Sequence, residues 1–395
     1  MNVTTIIFFR IKIVIAVSFL IFLSGCWNSM ELTDLAYVMG LSIDQTNEGE
    51  IELTTHMYSP TPTIGAQGGG VNTEGKYFSV KTTDDSVFEA IRDIPLHVGR
   101  KAQWSHMRVI LIGEEFAREH DISDVLDFFY RDHEPRFKTY VVITQGRASE
   151  YWGVRPFIEK TTAQQIRMIQ ESGTAFSGKA RETRMLDLAL QLNYPVKIAT
   201  VPYIERSDQT PESVVNTGLA ILPDGKMFDR LSTADVHNLL ILTDEYLSGT
   251  IEYPCKGEEY KQKNRKDSLE VTQLKTKVTS NFSETPPTIH FSTKVQGHLG
   301  ELQCWTMATD EERQELQAHI ENSIKTQLGA FIKYLQDEKL DVIGIGNILY
   351  RKDPKQWKQH EDNWEQIFSE INFEIDVEVI IISTGMTTGD DLTEE

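Results

Sequence analysis

The chain is poor in cysteine and carries no recognisable catalytic motif. Its 395 residues include three cysteines, too few for a disulfide framework or a four-cysteine zinc site. The H-E-x-x-H and G-x-S-x-G patterns of hydrolases are both missing, and the ten histidines show no metal-ligand spacing. Because no nucleophile can be paired with a base, we predict a protein that is not an enzyme and that holds neither a cofactor nor a metal.

Long hydrophobic runs are scarce as well. The run from Ile13 to Leu23 has 11 residues, with Ser18 as its only polar member, whereas a membrane-spanning helix needs roughly 20. The basic residues Arg10 and Lys12 precede this run and small residues follow it, which is the order of a secretory signal peptide. We therefore predict that residues 1–25 are a signal peptide that is removed on export.

A cysteine follows the predicted signal peptide directly. The sequence Leu23-Ser24-Gly25-Cys26 resembles the lipobox of bacterial lipoproteins. This resemblance implies that the Cys26 thiol carries a diacylglyceryl group and becomes the first residue of the mature protein on the outer face of a membrane. The alternative is an uncleaved anchor in which Cys26 has no role.

Positive charge is in short supply. The formal net charge is −20, and removal of two basic and no acidic residues with the signal peptide changes it to −22. Nucleic acid and anionic lipid headgroups repel such a chain, so we expect no nucleic-acid partner. Lipid must then provide the tether, and the two acyl chains of a diacylglyceryl group are enough for stable anchoring.

Two cysteines remain in the predicted mature chain. Cys255 and Cys304 lie 49 positions apart. They either pair outside the cytoplasm or are both buried thiols, and we favour unpaired thiols.

Strand and helix patterns alternate along the chain and predict an α+β or mixed α/β fold. We expect about three domains, each with a mixed sheet and packed helices. The predicted divisions are an N-terminal α/β domain at 26–205, a strand-rich domain at 206–300, a helix-plus-strand domain at 301–385 and a polar tail at 386–395. In the first domain, the residues from Glu114 to Arg131 favour one helix. In the third, apolar residues on one face predict a helix of about 30 residues, namely Leu316, Ile320, Ile324, Leu328, Phe331 and Leu335.

One segment matches the spacing of a phosphate-binding loop. Gly173 to Lys179 reads G-x-x-x-x-G-K, but Ala180 stands where that motif needs Ser or Thr. The residues before it favour a helix rather than a strand. We therefore interpret the segment as a loop between helices, and Gly344-Ile345-Gly346, which lacks the third glycine of a dinucleotide fingerprint, as a turn.

Short motifs along nearly the whole chain resemble the GerC-type lipoproteins, the C subunits of spore nutrient germinant receptors. The order of these motifs, rather than any one of them, makes the resemblance, although Asn28 stands where the family pattern suggests Asp. The matching residues are Leu23-Ser24-Gly25-Cys26-Trp27, Glu31-Leu32, Pro95-Leu96, Gly99-Arg100, Ser105-His106, Glu114-Glu115-Phe116-Ala117, Phe128-Phe129, Arg131-Asp132, Glu134, Trp357, Trp364, 371–382 and Gly385.

The resemblance implies a three-domain extracytoplasmic protein on the spore inner membrane. It implies two membrane-spanning partners, an A-type and a B-type subunit, in a complex that senses small nutrients and triggers germination. Cys26 alone transfers as a functional residue. The alternative is a solute-binding lipoprotein of an ABC importer, to which the strand-rich middle segment is poorly suited. A third possibility is a lipid-anchored hydrolase, but the sequence offers no candidate catalytic triad or metal site for one.

A basic segment stands out in the acidic chain. Residues 92–108 include four basic side chains and one acid, so we propose Arg100, Lys101 and Trp104 as contacts with a partner or the bilayer. The alternative is that Trp104 packs in the core and that the basic groups pair with acids of the same chain.

Overall fold

A computed structural model describes residues 30–59, 77–207, 213–256, 265–305 and 309–383, together with residues 7, 9–15 and 18. The predicted lipobox with Cys26 and the predicted tail lie outside the described residues. Among the residues that are described, no helix is both long and apolar enough to cross a membrane.

The first sheet is mixed and has nine strands in the described part of the chain. Its order is β3-β2-β1-β5-β6-β7-β8-β9, with β4 beside the start of β1. Strands β1, β4, β5, β6 and β7 run parallel, and the others pair antiparallel. The strands are β1 (Leu35–Gln45), β2 (Ile51–Tyr58), β3 (Tyr77–Asp84), β4 (Lys101–Gln103), β5 (Val109–Gly113), β6 (Tyr140–Thr144), β7 (Ile198–Arg206), β8 (Val214–Pro223) and β9 (Asp229–Ser232).

Helices cover both faces of this sheet. They are α1 (Val87–Val98), α2 (Glu114–Glu119), α3 (Ile122–Arg131), α4 (Thr162–Phe176) and α5 (Met185–Asn193). Ile110 and Ile112 of β5 face the core formed with α1, α2, α3 and α5, whereas Val109 and Leu111 face α4. All five residues of β5 are therefore buried, as expected for a parallel strand between two helical layers.

The second sheet is mixed and has the order β10-β11-β12-β13, in which β12 and β13 run parallel. Its strands are β10 (Gly249–Pro254), β11 (Lys266–Asn281), β12 (Thr288–Glu301) and β13 (Asn372–Ser383). The helices of this half are α6 (Thr233–Leu242), α7 (Asp310–Asp337), α8 (Ile345–Lys352), α9 (Pro354–His360) and α10 (Trp364–Glu370). The predicted apolar face of α7 is confirmed, since each of its six residues is buried.

Polar side chains of α7 hydrogen-bond backbone groups of both edge strands of the second sheet. Gln317 donates to the Val379 carbonyl at 2.7 Å, and the Glu321 carboxylate accepts from the Val379 N–H at 2.9 Å. On the other edge, His319 Nε2 bonds the Pro254 carbonyl at 2.7 Å. The sheet therefore curves around α7, and the helix covers strand edges that would otherwise be open to pairing.

The mixed α and β fold is confirmed, but the strands are distributed differently from the predicted domains. Strands β8 and β9 belong to the first sheet. Strands β11 and β12 pair with each other, and β12 also pairs with the distant β13. The predicted middle and C-terminal domains thus share one sheet. The boundaries at 205 and 300 stay predictions about independent folding units.

Two local predictions were wrong. The helix expected from Glu114 to Arg131 is broken at His120, because Asp121 accepts a hydrogen bond from the Ser123 N–H and starts α3 anew. The favoured pair of free thiols is instead a disulfide between Cys255 and Cys304, whose Cα atoms are 5.6 Å apart. It joins the end of β10 to the segment after β12, and two sulfurs bonded to each other are not thiolate ligands for a metal.

The phosphate-loop-like segment has the wrong context for a nucleotide site. Gly173 to Phe176 form the last turn of α4, and the helix precedes the segment where a strand would be needed. Gly178, with φ +61°, packs against Tyr246 after the helix ends. The interpretation as a loop between helices is therefore right for residues 177–180 and wrong for Gly173 to Phe176, which are helical.

Candidate interaction site

The basic segment 92–108 connects α1 to the sheet at the end where the parallel strands begin. The Ser86 side chain starts α1 by accepting a hydrogen bond from the Glu89 N–H, and Gly99 ends the helix with a positive φ of 67°. Lys101 then pairs with Leu35, the first residue of β1. Arg100 and Lys101 therefore lie at the end of the first sheet where β1 begins.

The structure separates the three predicted contact residues. Arg100 and Lys101 are exposed, and the Lys101 ammonium lies 2.5 Å from the Glu134 carboxylate. Trp104 is only 3% exposed, and its ring centroid lies 5.5 Å from that of Phe129 in an edge-to-face contact. The prediction that Trp104 offers a surface contact is therefore corrected, because its ring is part of the core.

A groove of about 1010 Å³ lies between α1 and α3, beside Lys101. Phe88 and Phe128 line the groove and pack against each other with ring centroids 5.5 Å apart, and the Arg92 guanidinium lies 4.8 Å from the Phe88 ring. On α3, Arg131 is paired with Asp127 at 2.6 Å. The groove therefore combines aromatic surface with paired charges.

Burial suppresses the charge of one histidine inside the first sheet. His56 is fully buried, its ring stacks on Trp152 at 4.7 Å, and burial lowers its pKa to about 3. The Trp152 indole donates to Ser42 at 3.0 Å. His56 is therefore a neutral core residue at physiological pH, and no motif around it distinguishes it from the other histidines.

A buried carboxylate organises the start of α8. Asp341 accepts hydrogen bonds from the N–H groups of Ile345 at 2.8 Å and Gly346 at 2.7 Å, and from the Trp364 indole at 3.0 Å. Burial raises the pKa of Asp341 to about 6. Gly344, with φ +74°, makes the predicted turn, and the helix begins at the next residue. Sequence reasoning missed Asp341, which lies in no motif.

Two family models match the chain on either side of residue 210. The model described as the spore germination protein N-terminal domain matches residues 28–206. The model described as the spore germination B3/GerAC-like C-terminal domain matches residues 217–385.

Relatives and a solved structure agree with these models. Spore germination protein KC of Bacillus subtilis (strain 168) is 25% identical over 380 residues, which are 93% of each chain. Spore germination protein B3 of the same organism is 23% identical, and the match covers 93% of this chain and 96% of that protein. The crystal structure of the GerBC protein shares the fold with a TM-score of 0.54 at 20% identity, covering 87% of this chain and 97% of that one.

These matches confirm the receptor hypothesis over the importer alternative. The two family models follow one another along the chain, and the relatives are matched over nearly their full lengths. The chain belongs to the GerAC family of spore germination proteins, the GerC-type C subunits of spore nutrient germinant receptors.

Proposed function

We propose that this protein is the lipid-anchored, non-catalytic C subunit of a germinant receptor on the outer face of the spore inner membrane. Its partners would be the A-type and B-type membrane subunits, and the complex would bind the nutrient. The family gives spore germination and an association with the spore membrane; the anchor, the partners and the absence of catalysis are the parts that we propose.

One observation carries the anchor. The family match begins at residue 28, two positions after the predicted first mature residue Cys26, so the matched domain starts close to where a lipoprotein would start. The residues before it have the basic end, the short apolar core and the small residues of a lipoprotein signal.

The test is Cys26→Ala in the producing cell. We expect an unprocessed precursor or a protein released from the membrane, and no incorporation of labelled fatty acid. Ser24→Ala is the matched control, because it keeps a small residue before the cut and should leave labelling intact. Normal processing and labelling of Cys26→Ala would refute the proposed anchor.

The exposed bases Arg100 and Lys101 are a proposed contact with a partner subunit or with the bilayer in the assembled receptor. The double variant Arg100→Glu, Lys101→Glu should keep the fold and be lipidated, because both side chains are exposed and the only ion pair lost is that of Lys101 with Glu134. We expect lost receptor assembly or a slower nutrient response of spores. Lys197→Glu, an exposed position with positive φ far along the chain, is the control for added negative charge. Wild-type germination at wild-type protein levels would remove these residues from the contact.

A further inference from the structure

The sheet topology places several loops at one end of the molecule. Strands β1, β5 and β6 run parallel in register, with Gly40 beside Val109 and Val109 beside Tyr140. The loop between α3 and β6 therefore lies at the same end as the start of β1. So does the end of α1, because Lys101 pairs with Leu35. We call this the anchor end, and it consists of residues 30–35, 96–101 and 132–139.

The anchor end carries exposed apolar side chains that point out of the fold. Leu96 is 81% exposed, Leu32 is 74% exposed, and Phe137 is 46% exposed. Leu96 lies in the last turn of α1 and Leu32 in the segment before β1, so three separate segments each expose a large apolar side chain at this end. Exposed apolar surface of this kind is typical of a region that is covered in use.

Basic residues flank these apolar side chains. Arg100 and Lys101 follow Leu96, and Arg136 and Lys138 enclose Phe137, all four being exposed. The acids nearby are of two kinds: Asp132 and Glu134 are 21% and 14% exposed, while Glu31 and Asp34 are exposed. This end carries four basic and four acidic side chains, with Lys101 paired to Glu134, so it is neutral in a chain whose net charge is −20. Among its exposed groups, four bases face two acids.

The length of the tether fixes which end meets the membrane. Leu35 lies nine positions after Cys26, and extended chain spans at most about 3.3–3.6 Å per residue, so the lipid lies within about 30 Å of Leu35. The other end of β1 is ten residues further along a strand that rises about 3.3 Å per residue.

From these observations we infer that the anchor end rests on an anionic bilayer, with Leu96 and Phe137 at the headgroup boundary and Arg100, Lys101, Arg136 and Lys138 on the headgroups. This inference rests on the proposed lipid anchor. Short apolar insertions combined with nearby basic residues add to lipid anchoring, because each of the two contributions alone is weak. The contact would fix the orientation of the subunit, which a lipid anchor alone would not.

The experiment measures the depth of single labels in the full lipidated chain on vesicles. The native cysteines are acylated or paired, so Leu96→Cys or Phe137→Cys introduces the one thiol that takes a nitroxide label. Asn47→Cys, at the exposed turn after β1, is the matched control at the opposite end. Collisions with oxygen, which concentrates in lipid, and with a water-soluble nickel chelate report the environment of each label on vesicles with and without phosphatidylglycerol.

We expect a several-fold higher ratio of oxygen to nickel collisions at residues 96 and 137 than at residue 47, on vesicles with phosphatidylglycerol. Arg136→Glu with Lys138→Glu should abolish that difference while the protein still floats with the vesicles. Floating protein with equally water-exposed labels at both ends would overturn the bilayer contact and leave the anchor standing. Labels that are shielded only after the A-type and B-type subunits are added would assign this end to a protein partner instead. Protein that does not float would refute the anchor and the contact together.

Discussion

At the scale of single residues, Gly346 shows how tightly the core around α8 is packed. A Cβ at this position would lie 2.6 Å from Val196 Cγ2 and 2.7 Å from atoms of Trp357 and Trp364. These neighbours are large, and the two indoles are buried, so they cannot move aside without opening the core.

We therefore expect Gly346→Ala to lower the free energy of unfolding by about 1–3 kcal/mol, the usual cost of overpacking. Gly329→Ala is the matched control, since nothing lies within 4 Å of its added Cβ and it occupies the interior of α7. That control should raise stability by about 0.5–1 kcal/mol. Chemical denaturation measures both, and equal effects would contradict the packing argument.

A second residue-scale prediction concerns pH. Burial raises the pKa of Asp341 from 3.8 to about 6, so the folded protein binds this proton more tightly than the unfolded chain does. The resulting stability is fully present below pH 3.8 and is lost as the pH rises through about 6. The contribution of this proton to the unfolding free energy amounts to about 3 kcal/mol.

As the pH falls from 7 to 4, the native chain should gain unfolding free energy, because Asp341 takes up its proton more readily in the folded state. Asp341→Asn should abolish this gain. The difference between the two proteins isolates this group from every other that titrates. Asp353→Asn, at an exposed helix start, controls for the loss of one carboxylate. Parallel stability curves for native chain and Asp341→Asn would show that Asp341 binds no proton in this range.

At the scale of elements, the contact between α7 and β13 protects an edge strand. Gln317 and Glu321 satisfy both backbone groups of Val379, which would otherwise be open to a neighbouring chain. Such open edges template aggregation, so the side chains have a role beyond their own hydrogen bonds.

The double variant Gln317→Ala, Glu321→Ala should lose about 1–3 kcal/mol of stability and aggregate faster on mild heating. The control is Gln314→Ala, an exposed position one turn earlier on the same helix. Light scattering during a temperature ramp gives the comparison. Identical aggregation of the two variants would mean that the edge is protected by other parts of the fold.

At the scale of the whole molecule, local patterns in the sequence predicted more than long-range pairings did. The apolar stripe of α7 and the continuous apolar run of β5 fix their own burial, because periodicity is a local property. The pairing of β12 with β13 joins segments about 70 residues apart, and no local pattern encodes it. Cys255 and Cys304 were misjudged for the same reason, since spacing along the chain says nothing of proximity.

The candidate site was predicted in part. Charge and chain position identified Arg100 and Lys101 as exposed bases, which the structure agrees with. The same reasoning misplaced Trp104, because a tryptophan in a basic loop and a tryptophan under that loop look alike in sequence. The basic loop around Phe137 passed unnoticed, since only the parallel strand order brings it to the same end.

A continuous core couples the two halves of the molecule. Residues of β8 and β9 in the first sheet and residues of the second sheet belong to one cluster of buried apolar side chains. Helix α6 lies between them and is buried along its length from Val236 to Leu242. A boundary at residue 205 would separate the two family-matched segments. The apolar contacts across α6 couple these segments, so we expect them to unfold together.

We therefore expect one cooperative thermal transition for the whole chain. Leu239→Ala, at a fully buried position of α6, should lower the unfolding free energy by about 2–5 kcal/mol and shift that single transition. Leu190→Ala is the control, because Leu190 lies on α5 and is 47% exposed. Calorimetry of both variants decides the matter. Two separate transitions, of which Leu239→Ala shifts only one, would show that the halves fold independently and would favour the boundary predicted at residue 205.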